Sequence, residues 1–267
     1  MFPYYKYEIS VQENFSCIRK RDFLLFLILT SSQRQATGFS PVHFIKSGRK
    51  MDIKFSSKLE NIYLNEGTYN LLIGAIVLYG LLINLITCAF FGDYVAKIPV
   101  KVLLIGYLII AIIGIAVLTF CKSIILKFIG YNMLIIPCGV TLSTTLNDYV
   151  EKSDIVLEAL IITTIITVCM VVLSSIFPKF FLGIGRMLFV ALLGIIIAYI
   201  VCFFADLNSG IVTWISAIVF SLYIGHDFVS AQHASHNVAN AIIFGADIYL
   251  DLINLFVDLL AILKDND

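Results

Sequence analysis

The chain has 267 residues, of which 60% are hydrophobic and 13% charged, with zero formal net charge and a mean hydropathy of +0.97. Soluble domains are about half apolar and about a quarter charged, so most of this chain belongs in a bilayer. The balanced charge leaves no basic surface for nucleic acid and no acidic tail. Six cysteines (Cys17, Cys88, Cys121, Cys138, Cys169 and Cys202) stand singly, without a C-x-x-C pair, which excludes a disulfide framework or a zinc knuckle. They read as small buried hydrophobes.

The first fifty residues differ from the rest. They are polar and basic, interrupted by one apolar run, Phe23–Leu29, which is too short to span. Arg19-Lys20-Arg21 precedes that run as in a signal peptide, but no small-residue cleavage site follows it. Gly48-Arg49-Lys50 stands just before Met51, and its codons can be purine-rich in the manner of a ribosome-binding site. Two readings stand: translation begins at Met51 and residues 1–50 are a gene-model artefact, or the segment is a disordered or surface-lying tail.

From Tyr69 onward the sequence divides into seven apolar stretches near the ~20 residues that cross ~30 Å of hydrocarbon. They are Tyr69–Phe91, Val102–Phe120, Phe128–Leu146, Ile155–Phe177, Met187–Phe204, Ile211–Val229 and Val238–Leu263. Their separators are short and polar, and no ten-residue alternating strands occur, so the expectation is an all-α integral membrane bundle rather than a barrel. Residues 1–68 form a polar tail, 69–263 the membrane domain and 264–267 a short C-terminal tail. The tail and the loops holding Lys122, Lys127, Lys179 and Arg186 carry most of the lysines and arginines. That distribution predicts a cytoplasmic N-terminus in the cell membrane and a C-terminus on the opposite side.

The seventh stretch is the most informative. Its large apolar residues between Ile242 and Leu263 contribute about −4 to −8 kcal/mol to insertion, while ionised Asp247, Asp251 and Asp258 would oppose it by about +8 to +10. Alone it is marginal in lipid and must insert with its polar face covered. Asn240, Asp247, Asp251, Asn254 and Asp258 are spaced 7, 4, 3 and 4 apart, which lines one side of a helix. The sixth stretch carries Asp227 near its end, and a short turn returns the chain as the seventh, an antiparallel pair that brings Asp227 opposite part of this stripe.

Two carboxylates meeting in a low dielectric cannot both ionise cheaply, so Asp227 and Asp251 would share a proton and act as a proton-sensitive latch. Fully ionised, the same pair is an oxygen-rich site for a hard cation such as calcium. The alternative is a buried hydrogen-bonded pair that only fixes helix packing.

Ile218-Val219-Phe220-Ser221-Leu222-Tyr223-Ile224-Gly225-His226-Asp227 and Gly245-Ala246-Asp247-Ile248-Tyr249-Leu250-Asp251-Leu252-Ile253-Asn254-Leu255-Phe256 strongly resemble the last two helices of the Bax inhibitor-1 (transmembrane Bax inhibitor motif) family. Ile155 to Leu160 also looks like the opening of a central helix in its bacterial members, and the likeness runs loosely from Tyr69 to Leu263. The resemblance implies a seven-helix bundle with the last helix central and wrapped by the other six. It further implies a pH-sensitive calcium leak controlled by a di-aspartyl pair, carried over here to Asp227 and Asp251, with calcium as the permeant ion and no cofactor or enzymatic activity.

Three departures from the family pattern stand out. Bacterial relatives carry an acidic residue and a basic cluster in the second helix, whereas Val102–Phe120 has no ionisable residue and only Lys122 and Lys127 follow it. Pro178-Lys179-Phe180 replaces the common Lys-Lys-Asp turn. Asp247 stands where relatives have a small polar residue, adding a carboxylate one turn from Asp251.

Glu158, four residues after Asp154, either lines the same ion path or sits at the membrane interface. His226, His233 and His236, gathered with Asp227, would suit a metal site in an intramembrane hydrolase, a third reading. The second is a non-transporting regulator that binds other membrane proteins, such as a membrane protease.

Overall fold

The computed structural model describes residues 63–95, 100–146, 153–205 and 207–266. The Met51 question and the short apolar run at Phe23–Leu29 lie outside these residues. The described chain forms seven helices: α1 (Glu66–Val95), α2 (Val100–Phe120), α3 (Ile124–Leu146), α4 (Ser153–Ile176), α5 (Pro178–Phe204), α6 (Gly210–His233) and α7 (Val238–Asn266).

Local sequence explains where these helices start. Asn65 Oδ1 accepts the backbone N–H of Thr68 at 2.7 Å, and Asn237 Oδ1 accepts that of Asn240 at 2.8 Å, so both residues act as N-caps for α1 and α7. Pro178 opens α5, where its missing N–H costs nothing, and only Phe177 separates α4 from α5. The apolar stretches predicted most of these bounds, but α5 starts well before Met187. Its first turns hold Lys179 and Arg186, long side chains whose stems tolerate an apolar neighbourhood while the charge reaches polar surroundings. Likewise α6 runs on to His233, so Asp227 lies inside the helix rather than at its end.

Two groups of buried side chains make the core, and α7 contributes to both. Its first half, from Ala241 to Ile253, packs with Tyr69, Tyr107, Tyr131 and Ile135 from α1, α2 and α3. Its second half, from Leu255 to Ile262, packs with Ala159, Leu192, Phe220 and Ile224 from α4, α5 and α6. The helices α1, α3, α4 and α6 lie directly against α7, whereas α2 packs chiefly on α3 and α5 on α6.

Small residues permit the close crossings, as helix association in lipid requires. A Cβ on Gly114 would stand 2.9 Å from the Gly130 carbonyl, and one on Gly130 would stand 2.8 Å from the Gly114 carbonyl, so α2 and α3 touch backbone to backbone. Lys127, at the start of α3, donates from Nζ to the Leu118 carbonyl at 2.7 Å and satisfies one of the last acceptors of α2.

The outer surface is apolar. Leu71, Leu85, Ile165, Val190 and Ile197 are exposed on α1, α4 and α5, an amount of oily surface that a soluble monomer does not present. Among the described residues five helices are long and apolar enough to cross a membrane: Glu66–Phe90, Ile124–Leu146, Asp154–Ile176, Pro178–Tyr199 and Gly210–His233. The helix α2 is likewise apolar along nearly all its length, and α7 carries Asp247, Asp251, Asp258, Lys264 and Asp265. The cysteines partly depart from expectation: Cys138 is buried, Cys88, Cys121 and Cys202 are half-buried and Cys169 is exposed, because several of them lie on outward helix faces. Cys17 lies outside the described residues.

Gly130→Ala is expected to destabilise the protein by about 1–3 kcal/mol through overpacking at the α2–α3 crossing. Gly74→Ala and Gly194→Ala, where an added Cβ meets open space, should leave the midpoint of thermal unfolding in detergent unchanged or slightly raised.

Candidate functional site

A polar residue on a lipid-facing helix surface is costly, so the position of the α7 stripe decides what it can do. Asp247 is 5% exposed, Asp251 and Asn254 0% and Asp258 1%. From Asp247 to Asp258 the predicted stripe is covered by protein, whereas Asn240 at its start is half-buried. Asp227, on α6, is 5% exposed. Thus both members of the predicted pair are buried on helices that pack tightly against each other.

Of the three histidines that the sequence gathers with Asp227, one is its direct partner. His226 Nδ1 lies 2.8 Å from Asp227 Oδ1, and the imidazole remains partly exposed. Its position depends on a small residue of α5: a Cβ on Gly185 would collide with His226 Nε2. The neighbouring Gly225 likewise admits Phe181 of α5.

The three histidines do not gather round a metal. His233 Nδ1 bonds to the Val229 carbonyl at 2.9 Å, whereas His236 stacks on Tyr69 at a centroid distance of 4.5 Å. His236 Nε2 lies 3.2 Å from the Gln232 carbonyl. Among the described residues no group of three or more His, Cys, Asp or Glu side chains is placed to hold a metal ion. Spacings of seven and three along the chain suggested a cluster, but α6 ends between the residues and each ring takes its own local partner. Among the described residues the histidines thus form part of a structured turn, and the metal site of the third reading is not assembled there. That turn is tied to the start of the membrane domain: Leu64 N–H donates to the His236 carbonyl at 2.8 Å, and Gln232 Nε2 donates to Asn70 Oδ1 at 2.7 Å. Glu158 is exposed near the start of α4.

A second polar group joins α7 to α1 and α3. Asn84 Nδ2 donates to the Tyr249 hydroxyl at 2.7 Å, Tyr131 stands edge-on to Tyr249, and the Tyr131 hydroxyl donates to the Ile76 carbonyl at 2.9 Å. Gly80 and Gly139 make the room, the first beneath the two tyrosines and the second against Asn84 and Thr87. Asn84 interrupts an apolar run and could have been singled out on that ground; its partner Tyr249, on the opposite side of α7 from Asp251, has no comparable signal.

Tyr249→Phe is expected to cost about 1–3 kcal/mol, since the buried Asn84 amide would keep a donor without its acceptor. Tyr79→Phe, which removes a half-buried bond to Asn132, should cost clearly less in the same unfolding measurement.

Comparison with known proteins fits this arrangement. No curated protein matches the chain. The profile of a protein family described as Inhibitor of apoptosis-promoting Bax1 matches residues 61–267, which covers all seven helices and both aspartate-bearing motifs. The chain is a multi-pass membrane protein of the Bax inhibitor-1 family.

Proposed function

We propose that the protein is a pH-sensitive leak for calcium, or cations of its kind, in the cell membrane, with an N-terminus in the cytoplasm and α7 as the central helix of the bundle. The observation that carries this reading is the burial of Asp227 and Asp251 on two packed helices. Carboxylates that each cost about 2.5–3.5 kcal/mol to insert when ionised most often mark an ion path or a proton relay, which favours this reading over a purely structural pair.

In this reading the two carboxyl groups share one proton. Shared, the proton holds α6 and α7 together; removed, it leaves two negative groups whose repulsion loosens the pair and whose oxygens suit a hard divalent cation. His226 adds a group that relatives with a second-helix latch would not need: it touches Asp227 directly and its ring is the wetter of the two. Proton exchange between solution and the buried pair then has a side chain to pass through. Asp247, buried one turn from Asp251, adds a further negative group on the same face. The chemistry is carried by carboxylates and a permeant ion, with no catalytic step and no cofactor.

Purified protein in liposomes loaded with a calcium dye tests this directly. The parent chain is expected to leak calcium at rates that differ between pH 6 and pH 8, and Asp227→Asn or Asp251→Asn to bring the ratio of the two rates close to one. Asp247→Ser should shift the pH profile without abolishing it. Flux no greater than in protein-free liposomes, or unchanged pH profiles in both asparagine variants, would contradict the proposal.

A further inference from the structure

The helix α5 is longer than a membrane crossing requires. Its 27 residues measure about 40 Å, against about 30 Å of hydrocarbon, so roughly two turns stand at headgroup depth. Its charged residues, Lys179 and Arg186, both lie toward its start, and its last turn holds no basic residue. The projecting end is therefore the first, and the long stem of Arg186 lets its charge reach the same depth as Lys179.

One face of α5 is taken by α6. Phe181 fits against Gly225, Gly185 sits beside His226, and Leu188 and Leu192 continue that face as buried residues. Lys179 and Arg186 are seven residues apart and lie together on the opposite face. Both are exposed, and neither has an ion-pair or hydrogen-bond partner among the described residues. Gly183 comes between them, where a Cβ would meet open space. Toward the bilayer centre the face continues as Val190, Leu193 and Ile197, all exposed. The neighbouring α4, although joined through Phe177 alone, packs mainly on α6 and α7 and leaves this face of α5 open.

This order of side chains matches a phospholipid: cations at headgroup depth, then an aliphatic strip at the depth of acyl chains. The wider charge pattern selects an anionic one. Among the described residues, the exposed charged side chains at the end where α5 begins are Glu66, Lys122, Lys179 and Arg186. At the opposite end they are Asp154, Glu158, Lys264 and Asp265. A phosphodiester without an ammonium group brings the negative charge that Lys179 and Arg186 lack, and the guanidinium can grip two of its oxygens at once.

We infer that the outward face of α5 holds an anionic phospholipid, with its phosphate on Lys179 and Arg186 and an acyl chain along Val190, Leu193 and Ile197. The site lies across α5 from His226 and is read by lipid binding rather than by flux, so failure of the leak assay leaves it standing.

Native mass spectrometry of the full-length protein in detergent tests the site, by titration with phosphatidylglycerol or with phosphatidylcholine of the same acyl chains. Phosphatidylglycerol is expected to bind more tightly by at least about fivefold, the worth of one basic side chain near anionic lipid. Lys179→Gln and Arg186→Gln should each weaken phosphatidylglycerol binding about fivefold and leave phosphatidylcholine binding unchanged. Lys122→Gln, at the same end of the bundle but in the α2–α3 turn, should leave both unchanged. All three side chains are exposed, so the unfolding midpoints of the variants should match the parent. Deacylated glycerophosphoglycerol separates a lipid from a free phosphate compound, and it should fail to displace the lipid at equal concentration. Equal affinity for the two lipids, phosphatidylglycerol binding unaltered in both α5 variants, an equal loss in Lys122→Gln, or displacement by the free headgroup would each overturn the assignment.

Discussion

A helix with Asp247, Asp251, Asn254 and Asp258 on one face keeps that face out of lipid only if protein covers it, and much of this architecture follows from meeting that condition. The apolar residues of α7 provide about as much insertion energy as its ionised acids would remove. Burial in a protein interior resolves the conflict, because hydroxyls, amides and neighbouring helices replace the lipid against which those groups would be costly. Hence α7 is enclosed on both its acidic side and its Tyr249 side, with Asp251, Asn254 and Tyr249 all 0% exposed. The other helices can then be plainer: α4 and α5 present many leucines, isoleucines and valines outward.

Enclosing α7 requires neighbours that approach closely, and the glycines show where they do. Gly245 on α7 lies against Ile76 of α1, and Gly80 of α1 leaves space for Tyr249 in return. Gly185 and Gly225 do the same for α5 and α6 around His226 and Phe181. Such contacts matter in lipid, where packing and hydrogen bonds rather than water exclusion hold helices together. The same geometry that stabilises the bundle thus fixes His226 beside Asp227, and the candidate site inherits its rigidity from the scaffold.

Much of this was legible in the chain itself. The hydropathy pattern located the helices to within a few residues, except where Lys179 and Arg186 lie inside α5 and looked like a loop. The acidic face of α7 followed from helical period alone, because only one arrangement places Asp247, Asp251, Asn254 and Asp258 together. Its burial, by contrast, depends on which helices cover it, and that is a matter of tertiary packing. The Asn84–Tyr249 bond joins residues 165 positions apart, beyond the reach of any local pattern. The histidines lie close in sequence but take separate partners in the fold: His226 the Asp227 carboxylate, His233 the Val229 carbonyl, and His236 both Tyr69 and the Gln232 carbonyl. Asp258 was visible as part of the stripe, but its hydroxyl neighbours come from α5 and α6 and emerge only in the fold.

The central claim is that Asp227 and Asp251 behave as one titrating unit rather than as two isolated buried acids. A double-mutant cycle tests it most directly: the unfolding free energies of the parent, Asp227→Asn, Asp251→Asn and the double variant, measured at pH 6 and pH 8. A shared proton predicts a coupling that exceeds about 0.5 kcal/mol, the level at which distant sites cease to be additive, and that changes with pH. Additivity within about 0.3–0.5 kcal/mol at both pH values would contradict it, since residues that do not interact lose their contributions independently.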